Sequence, residues 1–397
     1  MTNHLDCTLR DGGYYTNWNF SSEVVTKYLA ALSLAPVQTV EIGFRSMDKD
    51  RNKGSYATTS DGFLDSLNIP DSLNVAVMVN ASDILSLNNL SNVECAKIFF
   101  PRDCSDSRVS IVRFACHQHE VAQVNDLAKI LSKRGYRVFV NLMQITTYEV
   151  EKLISTIGTL DPKYIEVLYI ADSLGSLDHD KLAQLSETLK TCWPNQLGIH
   201  THDNLNLANS LSMAAMTSGF SWVDSTVLGM GRGPGNARTE ELLAVVLDES
   251  GESTNINELL SLSLNEFAEL KNLNGWGTNA LYMLAAKHGI HPSYIQSALS
   301  DPGIPRTELL NVVSYLKDSN TFKFTTGKMK KAKESVKRLQ HKHGSWDPRT
   351  DLEGKPVLIV GSGLSVTSVV SQKICQMVEH EGCVVITLNQ VTSIPAR

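Results

Sequence analysis

The residues best suited to bind a metal ion are two histidines one residue apart, His200 and His202, in the stretch HTHDN at 200–204. They follow the short apolar run 196–199, which is typical of a buried strand. Because side chains at positions i and i+2 of a strand point to the same side, both imidazoles can face one point in space. Two histidines do not complete a site, so a further ligand has to come from another element.

A candidate third ligand occurs near the start of the chain, where a strand-like segment beginning at Leu5 ends in Arg10 and Asp11. Two histidines and one carboxylate leave open positions on an octahedral ion for a bidentate substrate. We therefore expect Asp11, His200 and His202 to share one divalent cation, with the Arg10 guanidinium beside it.

Further polar residues lie in or directly after other predicted strands, namely Glu41, His117 and Asp172 with Ser173. Each also has a structural interpretation. Glu41 could be a buried carboxylate paired with Arg10, and Asp172 could cap a helix. The glycine-rich loop 229–236 (GMGRGPGN) could be a tight connection or could bind an anion through its backbone N–H groups.

The composition is that of an ordinary globular protein: 397 residues, 42% hydrophobic and 20% charged, with a net charge of -6. This charge gives no indication of nucleic acid or an anionic membrane as a partner. The seven cysteines contain no CxxC pair, so reduced thiols in a cytoplasmic protein are the simplest interpretation. No apolar run approaches the roughly 20 residues of a membrane helix, and the first residues lack a signal region.

The elements that would position these side chains are strands alternating with helical stretches over residues 1–250. Eight such alternations in about 250 residues predict an α/β fold, a (β/α)8 TIM barrel, with a doubly wound open sheet as the rival. In a barrel all strand ends of one polarity share a rim, which would bring the polar residues together. The predicted strands are 5–8, 38–43, 74–79, 109–115, 137–142, 164–170, 197–201 and 221–226.

Two further segments follow the predicted barrel. Residues 255–346 have helical periodicity with almost no strand pattern, which predicts a helical extension. Residues 352–397 read as one Rossmann-like βαβ unit, in which Gly361 and Gly363 match only part of a dinucleotide fingerprint. One such unit cannot cover both faces of its sheet, so we expect it to be the start of a truncated further domain.

Three motifs of this chain, taken together and in their order along the sequence, resemble those of the metal-dependent lyase and aldolase TIM-barrel superfamily. They are TLRDG at 8–12, HTHDN at 200–204 and GMGRGPGN at 229–236. That superfamily includes HMG-CoA lyase, isopropylmalate synthase and 4-hydroxy-2-oxovalerate aldolase. The resemblance covers about residues 4–250, and the loop 229–236 together with 113–117 is most similar to the oxovalerate aldolase.

The resemblance implies a role for each matching residue. Asp11, His200 and His202 would hold Mn²⁺ or Mg²⁺, with Asn236 as a fourth ligand or a neighbour of the ion. Arg10 would contact the 2-oxo acid and neutralise the enolate oxygen, and Glu41 would orient Arg10. Residues expected to bind substrate are Arg10, Arg113, Asp172 and Ser173.

One position departs from the aldolase pattern. Where that family has a histidine four residues after the arginine, taken as its base, this chain has Tyr14. A phenol with an ordinary pKa of about 10 is a poor base at neutral pH. The proton would then be transferred by one of three groups: Tyr14 together with the metal, His117, or a metal-bound water. The change from histidine to tyrosine also suggests a more polar aldehyde.

The sequence therefore predicts a divalent-metal-dependent aldolase that joins or cleaves pyruvate, or a related 2-oxo acid, and an aldehyde, with a sugar-derived aldehyde as one option. The alternatives are an acyl-CoA-dependent condensing synthase, an HMG-CoA lyase-like enzyme, or an inactive barrel that serves as a scaffold. Small molecules are the expected partners, and a homodimer is the expected assembly. The absence of a cysteine in the loop 229–236 argues against the CoA lyase, and Gly13-Tyr14 argues against the synthase.

Overall fold

Eight parallel strands form a closed barrel in which each strand pairs with its neighbours in sequence and β1 pairs with β8. The computed structural model describes residues 2–47, 50–87, 89–250, 256–319, 321–340, 352–360 and 368–387. Closure of the sheet confirms the predicted barrel and excludes the open-sheet rival. The strands are β1 Asn3–Asp6, β2 Thr39–Phe44, β3 Asn74–Asn80, β4 Val109–Cys116, β5 Arg137–Leu142, β6 Val167–Ala171, β7 Gln196–His200 and β8 Trp222–Ser225.

The strands are short apolar runs because both of their faces are buried, as parallel strands require. Side chains such as Ile111, Phe139 and Trp222 fill the barrel interior. Since the interior is packed with side chains, a ligand site can form only at a rim. The helices of the barrel region are α1 Thr8–Asp11, α2 Gly13–Thr16, α3 Ser22–Leu34, α4 Asp61–Ser66, α5 Ala81–Leu85, α6 Asn92–Phe99, α7 Val124–Lys133, α8 Val150–Ile157, α9 His179–Cys192, α10 Ala208–Thr217 and α11 Thr239–Ser250.

The first strand begins and ends two residues earlier than the sequence predicts. The strand predicted over 5–8, and extended in strand-like form to Asp11, ends at Asp6. The Asp6 carboxylate accepts hydrogen bonds from the backbone N–H of Thr8 at 2.9 Å and from its hydroxyl at 2.5 Å. This local pairing starts a helical turn, so that Arg10 and Asp11 lie in α1 instead of in the strand.

The predicted helical extension packs on the rim formed by the carboxyl ends of the strands. The Trp276 indole donates to the Leu228 carbonyl at 3.1 Å, and the Gly277 N–H donates to the Gly233 carbonyl at 3.1 Å. The loop after β8 is thereby held from above. The helices of the extension are α12 Asn257–Leu262, α13 Ala268–Asn274, α14 Ala280–Lys287, α15 Pro292–Leu299, α16 Leu309–Lys317 and α17 Thr326–Gln340.

The chain divides into two compact units, Met1–Val336 and Lys337–Arg397. In the second unit β9 Val357–Val360 and β10 Val384–Thr387 pair in parallel, with α18 Ser368–Glu381 between them in sequence. A βαβ unit is therefore present, whereas Gly361 and Gly363 of the partial fingerprint lie outside the described residues. The sequence-based domain limits stay a prediction. Within the described part of the chain, no helix combines the length and apolar character needed to cross a bilayer.

Candidate active site

Three residues offer ligand atoms that converge on one point at the rim. Single atoms of Asp11, His200 and His202 all lie within 4.8 Å of one another, and all three residues are buried. Asp11 is carried there by the turn α1, and His200 ends β7. His202 lies just past the strand, where its backbone pairs with that of Asn236. The structure thus brings together the predicted metal ligands from both ends of the barrel sequence.

Hydrogen bonds to the outer nitrogens orient both imidazoles. His200 Nδ1 lies 3.0 Å from the Asp224 carboxylate, and His202 Nδ1 lies 2.9 Å from the Asp172 carbonyl. Both partners are acceptors, so each Nδ1 donates, and the neutral tautomer that matches this hydrogen bond has its lone pair on Nε2. That tautomer is the one in which a histidine can bind a cation through Nε2.

Two of the three candidate ligands, Asp11 and His202, are in the protonation states that metal binding requires at neutral pH. Burial lowers the pKa of His202 to about 3, and the neighbouring His200 adds to this shift, so the ring is neutral. Burial by itself would raise the pKa of the Asp11 carboxyl, but Arg10, His200 and His202 outweigh it and hold the pKa well below its usual range. Asp11 is therefore a carboxylate.

Asn236 supplies a test of whether a cation fits. Its amide nitrogen donates to Asp11 Oδ2 at 2.5 Å, which orients that carboxylate. Its buried Oδ1 has no hydrogen-bond partner among the described residues. An amide oxygen without a partner, beside the Asp11 carboxylate, suits a divalent cation. The residues present therefore fit the predicted ion, with Asn236 close enough to Asp11 to complete the ligand set.

Gly231, in the loop after β8, lies where the backbone approaches Asp11 and Asn236 closely. A Cβ atom at this position would lie 2.3 Å from Asn236 Nδ2 and 2.7 Å from Asp11 Oδ2. Any side chain would displace both groups. At this position the loop therefore serves close backbone approach to the candidate metal ligands, a role that was not predicted from sequence.

Arg10 lies against Asp11, one of the candidate metal ligands. Its Nη1 donates to Asp11 Oδ1 at 2.6 Å, and its Nε donates to Glu41 Oε2 at 2.7 Å. Arg10 and Asp11 line a cavity of about 80 Å³ that is also lined by His200 and His202. We call it the metal cavity, after these candidate ligands. Glu41, fully buried in β2, thus holds Arg10 at the wall of the metal cavity.

A second buried arginine connects Glu41 to the other side of the site. Arg113 Nη1 donates to Glu41 Oε1 at 3.1 Å, and its Nη2 donates to Asp224 Oδ2 at 2.6 Å. Since Asp224 also binds His200, a chain of alternating charges runs beneath the metal position from Asp11 to His200. Arg113 is 0% exposed and does not line the metal cavity, so the structure places this predicted substrate residue in the floor.

Of the remaining predicted site residues, two line the metal cavity and two do not. Tyr14, in α2, and Ser173 line the metal cavity. Asp172 does not line it, and its carboxylate instead accepts backbone N–H groups of the loop, at 2.9 Å from Ser176. His117 begins the turn after β4, its ring stacks on His119 at 5.9 Å between centroids, and it does not line the cavity.

Four residues of the site were missed from sequence. Arg232 lines the cavity, and its guanidinium lies 4.9 Å from the centre of the Tyr14 ring. Asn80 and Asn141 also line it, at the carboxyl-end halves of β3 and β5. A charged or amide side chain inside an otherwise apolar strand is the signal that could have indicated Asn80, Asn141 and Asp224, whereas Arg232 lies in the loop after β8 and has no such signal.

Comparison with known proteins gives consistent matches. Residues 2–268 match the HMGL-like family. A 4-hydroxy-2-oxovalerate aldolase of Carboxydothermus hydrogenoformans is 27% identical over 245 residues, 61% of this chain and 69% of the relative. The N-terminal domain of a putative aldolase from Bacteroides vulgatus superposes with a TM-score of 0.63 at 28% identity, over 79% of this chain and 97% of that one.

A more distant structure has the same fold. The HMG-CoA lyase of Bacillus subtilis superposes with a TM-score of 0.55 at 16% identity, over 72% of this chain and 98% of the lyase. At this identity the likeness is one of architecture alone. It agrees with the closed barrel described above.

Proposed function

The chain belongs to the HMGL-like family of carbon–carbon lyases, and on that premise we propose that it is a divalent-metal-dependent aldolase acting on pyruvate, or a close 2-oxo acid, and an aldehyde. The single observation that carries the proposal is the convergence of Asp11, His200 and His202 in a small cavity walled by Arg10. Catalysis of this kind needs positive charge where an enolate oxygen develops.

The ion we propose is Mn²⁺ or Mg²⁺, held by Asp11, His200 and His202 with Asn236 adjacent. Carboxylate, imidazole and amide oxygen together suit these cations. When bound, such an ion supplies Lewis-acid stabilisation of the negative charge that develops on the keto oxygen of pyruvate.

Arg10 provides the second positive charge at the cavity wall. Its guanidinium is fixed by Glu41 and Asp11 at 2.7 and 2.6 Å, so it needs little reorganisation when charge develops on the substrate. The cavity, of about 80 Å³, is small, so the 2-oxo acid that we propose for it is a compact one.

Bond formation follows from this arrangement. Pyruvate loses one methyl proton to a base, its C3 forms a bond to the aldehyde carbon, and the aldehyde oxygen takes up a proton to become the 4-hydroxyl. Tyr14 lines the cavity and is packed against Arg232, so we assign its hydroxyl the transfer of the proton to that oxygen. In cleavage the same steps run in reverse.

The proposal is tested by incubating the protein with pyruvate and a panel of aldehydes in Mn²⁺ and identifying products by mass spectrometry. We expect a product whose mass is the sum of pyruvate and one aldehyde, its loss with a chelator, and its return with added Mn²⁺. Product formation that is indifferent to chelation would overturn the metal-dependent mechanism. Release of free thiol from acetyl-CoA in a parallel reaction would favour the condensing synthase instead.

A further inference from the structure

A second, larger cavity adjoins the metal cavity above the carboxyl ends of the first three strands. Its volume is about 450 Å³. Tyr14, Phe44 and Asn80 line both cavities, so the two share a wall. These three residues follow or end β1, β2 and β3, which places the larger cavity on one side of the rim.

The difference in volume indicates what the two cavities hold. The larger cavity, at about 450 Å³, has more than five times the volume of the metal cavity, at about 80 Å³. Pyruvate accounts for the smaller space. A two-carbon aldehyde would leave most of the larger cavity filled with water, whereas ligand sites enclose most of their ligand. The second substrate is therefore expected to have a chain of several heavy atoms.

The wall of the larger cavity is rich in groups that bind hydroxyls. Its polar residues beyond Tyr14 are Ser46, Lys53, Asn80, Asp83 and Ser86. Together they offer hydroxyl, amide, ammonium and carboxylate groups, which donate to and accept from alcohols.

The charges of this wall balance. Among the described residues that line the cavity, Lys53 is the one cation and Asp83 the one anion. A phosphate or a dicarboxylate would call for several cations. The balance favours a neutral ligand, and the aromatic rings of Trp18 and Phe44 provide apolar surface for the carbon chain of such a ligand.

The wall is organised by its own hydrogen bonds. Asn80 Nδ2 donates to Asp83 Oδ2 at 3.3 Å, and the Ser86 hydroxyl donates to the Asp83 carbonyl at 2.7 Å. Asn80 ends β3 and Asp83 lies one turn on, in α5, so both are fixed to the rim. The polar groups are therefore held in place before a ligand enters, which lowers the entropy cost of binding.

We propose that this cavity binds the aldehyde substrate and that this substrate is a neutral, polyhydroxylated, sugar-type aldehyde. Its carbonyl carbon lies at the shared wall beside Tyr14, and its hydroxylated chain extends along Asn80, Asp83 and Ser86. The inference rests on the proposed aldolase function, which supplies the bond between pyruvate C3 and the aldehyde carbon.

The test compares two four-carbon aldehydes, erythrose and butanal, which differ in their hydroxyl groups. With pyruvate and Mn²⁺, kcat/KM for each is referred to the concentration of free aldehyde measured by NMR. We expect erythrose to exceed butanal at least ten-fold. A matched pair of variants then locates the effect: Ser86→Leu, which directly follows α5 and lines the cavity, and Ser82→Leu, which lies in α5 and does not line it.

We expect Ser86→Leu to lower the erythrose-to-butanal ratio at least five-fold and Ser82→Leu to leave it unchanged. Deuterium exchange of the pyruvate methyl is measured in each sample without aldehyde. If the wild-type exchanges deuterium but uses butanal as well as erythrose, the substrate class is wrong and the aldolase function stands. If the two serine variants change the ratio equally, the cavity assignment is wrong. Absence of exchange overturns the function and this inference together.

Discussion

At the scale of single residues, the site depends as much on side chains that position the ligands as on the ligands themselves. Asp224 binds both His200 and Arg113, and Glu41 binds both Arg113 and Arg10. These groups are fully buried, so each charge depends on its partner for compensation. Replacing one of these residues should therefore lower the affinity of the site for a metal ion.

Asp224→Asn tests this dependence. The change weakens the acceptor for His200 Nδ1 and removes the negative charge beside Arg113. We expect the affinity for Mn²⁺ to fall by about 10- to 100-fold, as is usual when the partner of a histidine ligand is lost. Calorimetric titration with Mn²⁺ measures it, with Asp71→Asn as control because Asp71 pairs with Arg108 at the exposed surface. An unchanged affinity would show that Asp224 does not position His200.

Tyr14→Phe tests the proton transfer. The phenyl ring keeps the contact with Arg232, while the hydroxyl that serves the aldehyde oxygen is lost. We expect kcat for carbon–carbon bond formation to fall about 100-fold and deuterium exchange of pyruvate to persist. Tyr164→Phe, at the opposite end of the barrel and away from both cavities, is the matched control. Full bond-forming activity in Tyr14→Phe would assign the proton to another group.

At the scale of elements, the loop after β8 and the turn α1 have to approach each other closely. Gly231 makes that approach possible, because its missing Cβ leaves room for Asn236 and Asp11. The helical extension holds the same loop through Gly277 and Trp276. The loop is therefore held between the metal ligands and the extension.

Gly231→Ala should disrupt this arrangement. The new methyl group would lie 2.3 Å from Asn236 Nδ2, so the loop has to move and Asp11 loses its amide partner. We expect loss of Mn²⁺ binding in the calorimetric titration with the far-UV circular dichroism spectrum retained. Gly62→Ala, in α4 with open space around its Cβ, is the control and should bind normally. Normal binding by Gly231→Ala would mean that the loop does not set the ligand geometry.

At the scale of the whole molecule, the barrel follows from sequence more completely than the site does. Apolar runs alternating with helical periodicity suffice for eight strands, and the motif residues Asp11, His200 and His202 follow strand ends. The depth of a side chain within the barrel does not follow from the pattern of apolar residues. Arg113 shares a strand face with Ile111, which fills the interior, and its position beneath the rim depends on how the barrel closes.

Local hydrogen bonds explain why the first strand ends earlier than the sequence predicts. The first strand ends at Asp6 because its carboxylate binds Thr8, and no hydrophobic pattern records that contact. Arg232 escaped prediction because it meets Tyr14 only after distant segments pack together. Periodicity therefore identifies elements, while side-chain partners decide where the elements end and what reaches the cavity.

Stability of the folded molecule should fall at mildly acidic pH through His4, which is buried in β1. Burial lowers its pKa to about 4, whereas the unfolded chain has a value of about 6.5. The unfolded state therefore binds more protons between these values, so the free energy of unfolding decreases as pH falls below about 6.5 and levels off below about 4. For this group we expect a loss of roughly 1.3 kcal/mol between pH 7.5 and 5.5.

Urea unfolding of the metal-free protein at the two pH values measures this loss. His4→Gln should reduce the difference between pH 7.5 and 5.5 by about that amount, since glutamine does not titrate. His119→Gln, at an exposed position, provides the comparison. An identical pH dependence in His4→Gln and the wild-type would contradict the account.

The central claim is that Asp11, His200 and His202 hold a cation that, with Arg10, promotes enolisation of pyruvate. Deuterium exchange of the pyruvate methyl in D₂O, followed by proton NMR, tests it without knowledge of the aldehyde. The account predicts exchange in Mn²⁺, its loss on chelation, and its absence in Asp11→Asn at the same Mn²⁺ concentration. Exchange at the wild-type rate in the chelated protein or in Asp11→Asn would contradict it.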